Sequence, residues 1–69
     1  MKKPKKLKYV VVFMNRMGKG RDGFYCGNGY WTEDREHAKK YNGEMAALDA
    51  SADAIRMGDT GVGMFVEAY

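Results

Sequence analysis

The residues able to do chemistry in this chain are few. It has one histidine and one cysteine. His37 stands among charges, with Asp34-Arg35-Glu36 before it and Lys39-Lys40 after it. No Ser, Cys or second His lies at a spacing diagnostic of a nucleophile and its base. A solvated helix position is the expectation for it. Glu33 and His37 (i, i+4) offer only two metal ligands, a weak set, so no metal site is expected. Glu33, Asp34 and Glu36 crowd what reads as a helix start, where the helix dipole favours acids. A general acid/base pair would need one of those carboxyls in an apolar pocket. Cys26 falls in a strand-like run and is expected to be a small buried residue. One thiol per chain cannot close an internal disulfide, which fits a reducing cytosol. These residues give no convergent constellation, so no catalytic residue, metal or cofactor is assigned.

Gly18-Lys19-Gly20-Arg21-Asp22-Gly23 fits the pattern G-x-G-x-x-G. The dinucleotide fingerprint needs a helix directly after the glycines, and a strand-like run follows here. The segment reads instead as a basic hairpin loop. Its glycines and cations still make it the best anion-contact candidate.

Charge is divided unevenly. The 69 residues carry a net +3. Up to Arg21 there are eight cations and no acid: Lys2, Lys3, Lys5, Lys6, Lys8, Arg16, Lys19 and Arg21. Beyond it stand nine acids and four cations. The basic end suits phosphate or an acidic protein, and the acidic end suits a basic protein face. Lys5, Lys6, Lys8, Arg16, Lys19 and Arg21 are therefore the candidate phosphate contacts. The second candidate surface is acidic and aromatic: Tyr25, Tyr30, Trp31, Glu33, Asp34, Glu36 and Tyr69. With Tyr41 and Phe65, these aromatics exceed what one small core can hide, and Tyr and Trp favour interfaces.

The elements that position these residues follow from pattern. The segment 1–6 is polar, holds the only proline, and is expected to be a flexible basic tail. Residues 7–14 read as a strand, apolar on both alternating faces and hence central. A loop is expected over 15–23. A second strand is expected over 24–31, weakened by Gly27-Asn28-Gly29, where a bulge or tight turn should lie. Thr32 caps a short helix to about 41, with Asn42-Gly43 as its stop. A second helix is expected over 44–57, with Met45, Leu48, Ala52 and Ile55 on one face. A last strand covers 62–69. The expectation is one α+β domain, β-β-α-α-β, with a three-stranded antiparallel sheet in order 2-1-3. Both helices should pack on one face, leaving the other to solvent or a partner. The longest apolar run is far too short to cross a membrane, and no cleavage site follows the lysines. A cytoplasmic protein without a membrane partner is expected.

Tyr30-Trp31-Thr32-Glu33-Asp34-Arg35-Glu36-His37-Ala38-Lys39-Lys40-Tyr41 resembles a pattern in small orphan proteins of bacteriophages and prophages. There a strand ends in Trp-Thr, an acidic helix start follows, and Ala and an aromatic share one face. No functional residue carries over from that group. The resemblance implies a compact phage accessory protein in the host cytoplasm, of the anti-CRISPR kind, that blocks a host defence complex. The sequence therefore points to a non-enzymatic binding protein whose partner is a host protein complex. A nucleic-acid-binding protein using the basic N-terminal region is the alternative. An exposed sheet face or an unpaired strand edge leaves a homodimer open.

Overall fold

Val10-Val11-Val12 is the centre of the molecule, and all three side chains are buried. The computed structural model describes residues 7–58 and 60–69. The β-branched run lies in β1 (Lys8–Gly18), which pairs antiparallel with β2 (Arg21–Gly27). β3 (Tyr30–Thr32) extends the sheet beyond β2. β4 (Tyr41–Asn42) and β5 (Met64–Ala68) both pair antiparallel with β1. Tyr9 faces Tyr41 in one pairing and Ala68 in the other, while Val12 faces Phe24 and Phe65. A strand has two edges, so β2 and β4 share one edge of β1 and β5 takes the other. The central place of β1 agrees with its two apolar faces. The expected α+β class and antiparallel sheet hold, but the sheet has five strands and only one α-helix accompanies it, α1 (Glu44–Arg56).

One open alternative is settled and two local expectations are corrected. The strand expected over 24–31 breaks at a two-residue Asn28–Gly29 turn into β2 and β3, both turn residues having positive φ. That is the hairpin turn an Asn-Gly pair favours. The loop expected over 15–23 is mostly strand, closed by a tight Lys19–Gly20 turn with positive φ at both residues. The helix expected over 32–41 is absent. Thr32 ends β3, and its Oγ1 accepts from the Asp34 N–H. Asp34 then caps a single 3-10 turn (Arg35–His37), its carboxylate accepting from the Glu36 N–H. The segment is polar nearly all round and offers no apolar stripe to hold a longer helix. Tyr41 joins the sheet instead.

This change covers the sheet on both sides. On one face Val11 and Tyr25 pack with Ala47, Ala50 and Ala54 of α1. On the other, Ala38 is buried against Val10, Val12 and the ring of Phe24. Arg35 ties the 3-10 segment across to β5, donating to Glu67 Oε2 at 3.0 Å and to the Ala68 carbonyl at 2.8 Å. The open sheet face expected from the sequence is thus occupied by the chain itself. No helix among the described residues is long and apolar enough to cross a membrane.

Candidate binding surface

The acidic and aromatic residues singled out above do not form one surface. Tyr25 is 2% exposed and belongs to the core under α1. Its hydroxyl donates to Met57 Sδ and accepts from the Gly29 N–H at 3.0 Å. This pins the β2–β3 turn to the end of the helix. Trp31 is half-buried on the same face, edge-on to Phe13 at 5.6 Å and tilted against Tyr25 at 4.9 Å. Tyr30, by contrast, is 71% exposed beside the turn. Glu33 is bound to Arg21 at 2.7 Å, and Asp34 lies 3.2 Å from His37 Nδ1. Glu36 is exposed, and its carbonyl accepts from the Lys40 ammonium. Tyr69 lies at the far edge, its ring flanked by Arg35 at 4.7 Å and Lys40 at 4.6 Å. Cys26 lies in β2 as expected but is half-buried and not buried, with its thiol near the carbonyls of Phe24 and His37.

Of the candidate phosphate contacts, Arg16, Lys19 and Arg21 share the end of the β1–β2 hairpin, and Lys8 stands apart from them. Lys5 and Lys6 lie outside the described residues. Lys8 opens β1, where it donates to Asn42 Oδ1. Lys19 sits in the turn just past the strand's other end, roughly 35 Å away at about 3.3 Å per strand residue. Arg16 lies over the rings of Phe13 and Trp31 on the helix-covered face. Arg21 is engaged with Glu33. In the Lys19–Gly20 turn, the Gly20 N–H already donates to Asn15 Oδ1 at 2.7 Å.

The feature the structure adds is the outer face of α1. The helix runs Glu44–Arg56, close to the expected 44–57, but its apolar side is turned the other way. The helical spacing of Met45, Leu48, Ala52 and Ile55 predicts that face against the sheet. The buried residues are Ala47, Ala50 and Ala54, spaced i, i+3, i+7. Met45 is 72% exposed, Leu48 43% and Ile55 44%, and Ala52 is exposed with them. The cause lies in the sheet. Tyr9, Tyr25, Trp31 and Tyr41 fill the layer beneath the helix. Dense packing then leaves room only for methyl groups from above.

No protein-family model, curated protein or solved structure matches the chain.

Two grooves border this outer face. At the start of α1, Leu7 and Tyr9 line a groove of about 340 Å³ with Gly43 and Glu44. Between α1 and the β2–β3 turn lies a second, of about 360 Å³, lined by Asp49, Asp53, Lys39, Tyr41 and Met57 among others. Burial raises the pKa of the Tyr41 phenol above the ordinary 10.0, helped by the neighbouring Tyr25 and Cys26. The phenol therefore stays a neutral hydrogen-bond donor at physiological pH. At the far end of the helix, Ile55 packs close over Gly61, beside the exposed Val62. The sequence holds one part of this signal, the five alanines of α1; the rings they pack on are brought together only by strand pairing.

Proposed function

We propose that this chain is a non-enzymatic binding protein that docks on a partner protein through the outer face of α1. One observation carries the reading: the large apolar residues of the helix point to solvent while its alanines fill the core. The apolar surface that Met45, Leu48 and Ile55 leave in solvent adds nothing to folding, and exposed apolar patches mark interaction sites. The side chains lie on rigid backbone, which favours a preformed docking face. The resemblance to phage accessory proteins supplies the partner class, a host protein complex such as a CRISPR–Cas defence effector, which the chain would inhibit by occupying it. The nucleic-acid reading has less support, because Lys8 and Lys19 are far apart and Arg21 is paired with Glu33.

The test is co-purification from host cells with the wild type and with a Leu48→Asp/Ile55→Asp variant. Both positions are exposed, so the variant should keep its circular dichroism spectrum. The expected result is a partner captured by the wild type and lost in the variant. The same partner captured equally by both would contradict the reading.

A further inference from the structure

We infer that the outer face of α1 receives a basic amphipathic helix of the partner, with one of its lysine or arginine side chains entering the groove beside Asp49. This rests on the docking surface proposed above and names the chemistry that fits it. Met45, Leu48, Ala52 and Ile55 follow the 3-4-3 spacing of a helix–helix seam. The seam is edged mainly by acids: Glu44 and Asp49 are exposed, and Asp53 is half-buried. Arg56, the one cation of the helix, is already bound to Asp53. Among the described residues no ion pair involves Asp49. Asp49 and Asp53 stand one turn apart and both line the 360 Å³ groove, whose wall includes the neutral Tyr41 phenol. Lys39 lines the Tyr41 side of this groove, its ammonium 5.4 Å from the ring, so the incoming charge is directed to the helix side, where Asp49 and Asp53 stand. A long basic side chain would lay its apolar stem along Met57 and bring its charge to the carboxylates.

Charge also decides against a second copy of the chain. The 3-4-3 spacing reads the same in both directions, so a twofold antiparallel pairing would match the apolar positions. That pairing would set Asp49 and Asp53 of both copies along the same side of the seam. Four carboxylates would then face two guanidinium groups, each already engaged. A basic helix meets the same surface with opposite charge.

The experiment uses the full chain and two labelled synthetic helical peptides. Each carries leucine at the 3-4-3 positions, one flanked by arginine and the other by glutamate. Fluorescence anisotropy should show the arginine peptide binding about tenfold or more tightly, an advantage that shrinks as salt rises. Asp49→Lys should remove most of that preference, and Leu48→Asp should abolish binding of both peptides. Equal or tighter binding of the glutamate peptide, still lost in Leu48→Asp, overturns the basic partner but leaves the docking surface standing. Binding of neither peptide overturns the inference, as does a Leu48-dependent dimer in sedimentation equilibrium. The co-purification experiment tests the docking surface separately.

Discussion

The two long sides of α1 differ in a way that inverts the usual amphipathic helix. The inner side presents Ala47, Ala50 and Ala54 to a layer of rings and is buried. The outer side presents Met45, Leu48 and Ile55 to solvent. In an ordinary surface helix the large apolar residues go in and polar ones go out. Here the strands supply the core volume, and the helix acts as a thin lid over it. The large residues outside keep much of their apolar surface in solvent, and that surface calls for another role. Inner-side substitutions should change stability, and outer-side substitutions should change binding.

The largest test of that contrast is Ala54→Leu. The added methylenes have no space above the ring layer, so we expect a loss of about 3 kcal/mol, at the upper end for overpacking. A domain this small has little stability to spare, so chemical denaturation should show a greatly lowered midpoint. Unchanged stability would mean the helix does not sit on its alanines. Gly23→Ala probes the layer beneath. A Cβ there would lie 2.7 Å from Arg16 Cβ and 3.3 Å from the Trp31 ring. The expected cost is about 2 kcal/mol, read from the same denaturation curve.

How much of this was visible in the sequence follows from the same contrast. β1 declared itself, because three valines in succession are apolar on both faces. The extent of α1 was legible, Glu44–Arg56 against an expected 44–57. The 3-10 segment was misread because Thr32 and the acids after it satisfy the rules for a helix start. Those rules score the cap and are silent on whether an apolar stripe follows to hold the helix. The facing of α1 was misread for a different reason. Ranking residues by hydrophobicity favours Leu and Ile over Ala, yet the volume already filled by Tyr9, Tyr25, Trp31 and Tyr41 decides which side fits. That volume depends on strand pairing, which local pattern does not reveal. The basic candidates were chosen one by one for charge, and the length of β1 separates Lys8 from Lys19.

A smaller effect tests the ring layer by pH. Burial raises the Tyr41 pKa above 10.0, so folding favours its neutral form. The resulting stability is fully present below about pH 10 and is lost as pH rises through the raised value. Tyr41→Phe should therefore lose stability less steeply than the wild type above pH 10. Thermal melts across that range check it, and parallel curves would contradict it. The smallest stability effect belongs to the outer side. Leu48→Asp should change unfolding free energy by about 0.5 kcal/mol or less while weakening partner capture strongly.

The most direct measurement of the docking face is site-specific photocrosslinking in host cells. A benzoylphenylalanine would replace Leu48 on the outer side of α1 in one variant and Lys19 at the hairpin tip in another. The account predicts a discrete crosslinked protein from position 48 and none from position 19. Crosslinks from position 19 with none from position 48 would contradict it.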